Sequence, residues 1–115
     1  MSLTVTTRKS GAVTILDLSG RITLGESTGM LRDTVRKTLD EGNKNIVLNM
    51  ASVSYVDSAG LGELVGSYTS VNHAGGRLKL LNLQAKMQDL MQVTKLHTVF
   101  EVFENEADCV KSFGA

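Results

Sequence analysis

The segment Val53-Ser54-Tyr55-Val56-Asp57-Ser58-Ala59-Gly60-Leu61-Gly62 joins β-rich residues to a glycine-spaced stretch, and it holds the residues of this chain best placed for chemistry. Asp57 stands where a helix N-cap belongs: its carboxylate can accept backbone N–H bonds at the positive end of the helix dipole. Capping is the ordinary role of such an aspartate, and a catalytic role would need a base or metal that the sequence does not offer beside it. Ser58 then falls in the first helical turn, its hydroxyl exposed near free N–H groups. A phosphate on it would meet those donors and a favourable dipole without unfolding the helix. Taken alone, the residue leaves two readings open, an inert first-turn serine or a phosphoacceptor.

The surroundings of Ser58 bear on that choice. At about 100° per residue, Ser58, Gly62, Gly66, Thr69 and His73 share one strip of the helix, beside its apolar stripe. Inside a helix, Gly62 and Gly66 each cost about 1 kcal/mol relative to alanine, which implies a close neighbour. That neighbour is either another segment of the chain or a partner protein. A phosphate would add roughly 1.5 to 2 negative charges next to Asp57, on a surface that a partner must desolvate. A penalty of about 3 kcal/mol weakens binding by over a hundredfold, enough for a switch.

Other chemistries fit poorly. Gly60-Leu61-Gly62 is followed by Gly66, one position too late for a dinucleotide loop, and Asp57 would oppose a pyrophosphate. No nucleophile elbow surrounds Ser58, and His73 and His97 lie outside any triad signature or metal-ligand spacing. His73 reads as a surface residue near a helix end, and His97 as a loop residue. Cys109 is the single cysteine, which excludes an internal disulfide or thiolate cluster and fits a reducing cytoplasm.

The elements that must position Ser58 follow from alternating apolar runs and glycine punctuation, with proline absent. Leu3 to Arg8 and Ala12 to Ser19 read as strands around a Ser10-Gly11 turn, the second apolar on both faces and so covered on both sides. Leu24, Thr28, Leu31, Val35, Thr38 and Leu39 form one stripe that predicts a helix from Leu24, stopped by Gly42. Opposite lie Arg32, Asp33, Arg36 and Asp40, a solvated face of mixed sign. Asn45 to Met50 is a buried central strand, and a loop through Ser52, Ser54 and Tyr55 leads to Asp57. The helix from Ser58 to Ala74 turns Leu61, Leu64, Val65, Tyr68 and Val71 inward and ends at Gly75-Gly76. Leu78 to Leu81 is a strand; Met87, Leu90, Met91 and Thr94 mark a third helix; Val99 to Phe103 reads as a last strand and Glu106 to Phe113 as a short helix. The order implies an α/β layer fold with right-handed crossovers.

The chain has 115 residues, a common size for one domain, and one domain over 1–115 is expected. Lys plus Arg and Asp plus Glu both count 12, so the net charge is zero and no basic field exists to hold nucleic acid or an anionic membrane. No apolar run approaches the roughly 20 residues of a membrane span, and no secretory signal opens the chain. A cytoplasmic protein is expected, with no direct nucleic-acid partner and no membrane insertion.

Four stretches carry a resemblance. Leu18-Ser19-Gly20-Arg21-Ile22 looks like a strand leading to a helix, Ile46 to Met50 like a central strand, and Asp57-Ser58-Ala59-Gly60-Leu61-Gly62 like a phosphoacceptor motif. Leu96 to Phe103 followed by Asn105-Glu106-Ala107 looks like a closing strand and helix. In these the chain resembles the anti-sigma factor antagonists, single-domain members of the STAS group, over essentially its whole length.

The resemblance implies a small mixed, largely parallel sheet with about four helices packed mainly on one side. It implies that the unmodified protein binds an anti-sigma factor that is also an ATP-dependent serine kinase, thereby freeing a sigma factor. The kinase would phosphorylate Ser58 and end the complex, and a metal-dependent serine phosphatase would restore it. The antagonist itself would be no enzyme and would carry no cofactor, since ATP and metal belong to its partners. The implied partner-binding residues are Thr23, Asp57, Ser58, Ala59, Gly60, Gly62 and Gly66. The chain departs from the family pattern at Thr23, where many members are acidic, and at Asn49, where an aspartate is frequent; both departures bear on partner choice. Two other functions stay open: a STAS module of a lipid-transport or other signalling assembly, and a small-ligand or nucleotide sensor using a groove near Gly60 and Gly62.

Overall fold

A computed structural model describes residues 3–114. Strands β1 (Leu3–Ser10) and β2 (Val13–Ile22) form an antiparallel hairpin closed by Gly11 at φ 61°, a left-handed turn that glycine adopts without strain. Then follow α1 (Glu26–Asp40), β3 (Asn45–Val56), α2 (Ser58–His73), β4 (Arg77–Leu81), α3 (Ala85–Val93), a 3-10 turn (Leu96–Thr98), β5 (Val102–Phe103) and α4 (Glu106–Lys111).

The five strands lie in the order β1-β2-β3-β4-β5, with β2 to β5 parallel. Because the chain advances across the sheet in one direction, each right-handed crossover delivers its helix to the same face. That face buries Leu16, Leu18, Leu48 and Leu80 against Leu31 and Val35 of α1, Leu64 and Val71 of α2, and Met87 and Met91 of α3. After the last strand no crossover constrains the chain, and α4 crosses to the other face. There Cys109 and Phe113 cover Val13, Ile15, Val47 and Leu81. The expected mixed sheet with helices mainly on one side is what the chain adopts. A buried cation secures α4: Lys79 donates to the Ser112 carbonyl (3.1 Å) and hydroxyl (2.9 Å), and stands 4.6 Å from the centre of the Phe113 ring.

Several element boundaries differ from the sequence expectation. β2 runs on to Ile22, and β3 does not end at Met50 but continues to Val56, where Ile22 pairs with Val56. Ser52 and Ser54 look loop-like because this part of β3 has a neighbour on one edge only; Ser54 donates its hydroxyl to the Gly20 carbonyl at 3.2 Å, and β3 carries an extra residue at each of two register shifts. Helix α1 starts at Glu26, because Gly25 at φ 113° breaks the backbone before it. Leu24, placed by its spacing on the core stripe, therefore lies outside the helix and is 80% exposed. The last strand shrinks to Val102–Phe103, because the preceding residues form the 3-10 turn and Phe100 goes into the core edge-on against Tyr68, ring centres 5.1 Å apart.

Candidate functional site

Strands β2 and β3 end side by side, so their C-terminal ends set the start of α2 against the loop that leads into α1. Asp57 is the joint. Its N–H donates to the Ile22 carbonyl at 3.2 Å, and its own carbonyl accepts the first helical bond from Leu61 N–H at 2.9 Å. The carboxylate is split between two elements: Oδ1 accepts from Gly60 N–H at 2.8 Å as the N-cap of α2, and Oδ2 accepts from Leu24 N–H at 3.0 Å. Two N–H groups aimed at one carboxylate favour its charged form. The Gly60 bond, and after it the Leu24 bond, hold the Asp57 carboxyl below the usual carboxylate range.

Ser58 is exposed at the first helical position, and its hydroxyl has no hydrogen-bond partner among the described residues. No acidic residue follows in the first turn of α2, so within this helix end only the Asp57 cap opposes the dipole that an incoming anion would meet. Gly62, Gly66, Thr69 and His73 are exposed on the same strip.

The glycines of this helix divide into two kinds. Gly60 is buried, and a Cβ there would overlap the carbonyl group of Ile22 and touch Ile22 Cγ2 at 3.0 Å. Only glycine lets the first turn of α2 come down onto the end of β2. Around Gly62 nothing lies within 4 Å of an added Cβ, and around Gly66 only Glu63 Oε2, at 3.9 Å. The close neighbour expected for Gly62 and Gly66 is therefore no segment of this chain among the described residues. Their backbone faces outward, beside Ser58.

Thr23 sits across from Asp57 and is half-buried. Its N–H donates to Ser27 Oγ at 2.8 Å and its carbonyl accepts from the same hydroxyl at 2.9 Å, so Ser27 pins the loop from inside α1. Leu24, next in the chain, is exposed and is tied by its N–H to Asp57, the residue before the serine. Ala59, after Ser58 in the first turn of α2, is half-buried. Asn49 stands elsewhere. Two residues on from Val47 in β3, it shares the α4 side of the sheet with it, donating to Asp17 Oδ1 at 2.8 Å and accepting from Asn82 at 3.2 Å. The structure thus brings Thr23, Asp57, Ser58, Ala59 and Gly60 to one end of the molecule, sets Gly62 and Gly66 along the exposed strip of α2 that leads away from it, and leaves Asn49 out.

Leu24 is the site residue that sequence reasoning misassigned. The signal was Gly25, a residue suited to interrupt the backbone immediately after it. His73 is exposed, and His97, in the 3-10 turn, has Nδ1 3.3 Å from the Met91 carbonyl. Among the described residues no three His, Cys, Asp or Glu side chains gather to hold a metal ion.

The model of the STAS domain family matches residues 4–109. An anti-sigma F factor antagonist of Paenibacillus polymyxa is 26% identical over 115 residues, covering 96% of this chain and 94% of that one. Among solved structures, an anti-sigma factor antagonist from Mycobacterium paratuberculosis superposes with a TM-score of 0.83 at 16% identity, covering 99% and 96% of the two chains. The Bacillus cell fate determinant SpoIIAA in its phosphorylated form superposes with 0.72 at 19% identity, covering 95% and 98%.

Proposed function

The chain belongs to the STAS domain family, and from that premise we propose that it is an anti-sigma factor antagonist switched by phosphorylation of Ser58. In its unmodified form it binds an anti-sigma factor with serine kinase activity, which releases a sigma factor. The kinase partner transfers phosphate to the Ser58 hydroxyl, and a serine phosphatase removes it. The protein is itself no enzyme and needs no cofactor for this cycle, which runs in the bacterial cytoplasm. No helix among the described residues is long and apolar enough to cross a membrane.

The observation that carries the proposal is the open backbone at Gly62 and Gly66, in line with an exposed Ser58. Helix glycines that accommodate nothing in their own fold are accounted for by a partner that needs close approach. Phosphate at Ser58 suits the N-terminus of α2, so the modification leaves the fold intact and acts on the complex. Its added charge beside Asp57 must be desolvated by the partner, and about 3 kcal/mol of that cost suffices for a hundredfold loss of affinity.

Incubation with a cognate kinase and ATP, followed by mass spectrometry against Ser58→Ala, tests this. Phosphate on Ser58 with release of the kinase is the expected result. Continued binding after stoichiometric phosphorylation, or modification at another residue, removes the switch.

A further inference from the structure

Strand β3 outruns its neighbour. The β3–β4 ladder ends where Asn49 meets Leu81, so from Met50 onward that edge of β3 has no adjacent strand among the described residues. At Ala51 two side chains replace the missing strand: the N–H donates to Asn49 Oδ1 at 3.2 Å, and the carbonyl accepts from Gln84 Nε2 at 2.9 Å. Past Ala51 the edge borders a groove of about 200 Å³.

The lining of this groove states what it offers. Val53, Ser54, Tyr55 and Val56 all border it. Successive strand side chains point to opposite faces, so four consecutive residues can border one groove only along the strand's edge, where main-chain N–H and C=O groups stand. The far wall is α3, which supplies Met87 and Leu90, with Met50 at the base. One charge stands on this wall: Lys86 is exposed and takes part in none of the ion pairs among the described residues.

A main-chain edge, an apolar slot and a single cation suit one kind of occupant. We infer that the groove between β3 and α3 is a second docking site, taking an extended peptide of a partner protein that pairs with the β3 edge. The peptide places an apolar side chain against Met50, Met87 and Leu90 and a carboxylate near Lys86. Main-chain pairing supplies affinity and the slot supplies selectivity, as in strand addition to other sheets. The groove's lining stops at Val56 and does not include Ser58, and the inference does not depend on the phosphorylation reading.

The test is selection of a displayed random heptapeptide library on the full chain, then titration of an enriched synthetic peptide into isotope-labelled protein. Enriched peptides should carry an aliphatic residue close to Asp or Glu, and amide shifts should fall on Ser52 to Val56 and on α3. Lys86→Glu in the protein, and separately N-methylation of alternate peptide amides, should each weaken binding by about tenfold or more, while the charge-matched Lys37→Glu on the exposed face of α1 leaves it unchanged. The inference is overturned by no enrichment over the Lys86→Glu protein, by shifts centred on α2, or by affinity indifferent to N-methylation. It is equally overturned if decanoate fills the groove and no peptide does, or if the chain sediments as a dimer that Lys86→Glu dissociates.

Discussion

Asp57 Oδ2 accepts a hydrogen bond from the Leu24 N–H at 3.0 Å across 33 residues of sequence, while Oδ1 of the same carboxylate caps α2 through Gly60. One side chain thereby fixes both halves of the surface around Ser58.

Removing that carboxylate should loosen both halves together. Asp57→Ala is expected to lower the unfolding midpoint and to speed hydrogen exchange at the Leu24 and Gly60 amides, measured residue by residue by NMR. Faster exchange at Gly60 alone would show that the loop is held by Ser27 without help from Asp57.

The same contact has a pH signature. Gly60 and Leu24 hold the folded Asp57 carboxyl below the value it takes in the unfolded chain, so its contribution is complete above the ordinary carboxylate range. That contribution drains away as pH falls through the folded pKa. Asp57→Asn retains an acceptor but cannot titrate, so its urea midpoint should fall less steeply in acid than that of the parent. Arg8 lowers Asp17 and Glu106 in the same direction, and both stay in the variant as an internal reference.

The glycines of α2 should give effects of opposite sign. Gly60→Ala drives a methyl into the Ile22 carbonyl and should destabilise the fold by about 1 to 3 kcal/mol. Gly62→Ala and Gly66→Ala meet open space and should stabilise it by up to about 1 kcal/mol each. If the proposed partner approaches this strip, the latter two bind it more weakly despite their greater stability, a combination that urea unfolding and calorimetry read separately.

Leu24 offers a test of the interface without a charge change. At 80% exposure its side chain contributes little to the fold, so Leu24→Ser should alter stability by less than about 0.5 kcal/mol. Burial against a partner is worth about 1.5 kcal/mol or more, so affinity for the anti-sigma factor should drop about tenfold.

Thr14 is a test of the core. Its hydroxyl is fully buried in β2 and is the one buried side-chain polar atom without a hydrogen-bond partner among the described residues. Thr14→Val keeps the shape and discards the unmet group, so it should leave stability unchanged or raise it by about 1 kcal/mol. Thr14→Ala, which removes volume as well, should fall below Thr14→Val in a urea titration.

The order of strands and helices was legible because each apolar run matched a strand or helix period and glycines marked the joints. Legibility failed where a residue's environment is set by a distant segment. Ser52 and Ser54 are polar because β3 lacks a neighbour on one side there, a fact of β4's shortness that local sequence does not carry. Leu24 fell into phase with Leu31 and Val35 by coincidence of spacing, while Gly25 kept it out of the helix. Asp57 and Ser58 were legible as cap and first-turn residue, since those roles depend on immediate neighbours. That Gly60 serves packing while Gly62 and Gly66 face outward was not legible, because the distinction lies in the carbonyl of Ile22.

That carbonyl has an evolutionary meaning. The first turn of α2 meets the end of β2 largely main chain against main chain, so the aim of Ser58 depends less on which aliphatic residues fill the layer beneath. A lineage can exchange those side chains, and reshape the exposed strip for a new partner, as long as one glycine persists at the pivot. The orientation of the serine is inherited with the backbone, leaving recognition free to diverge.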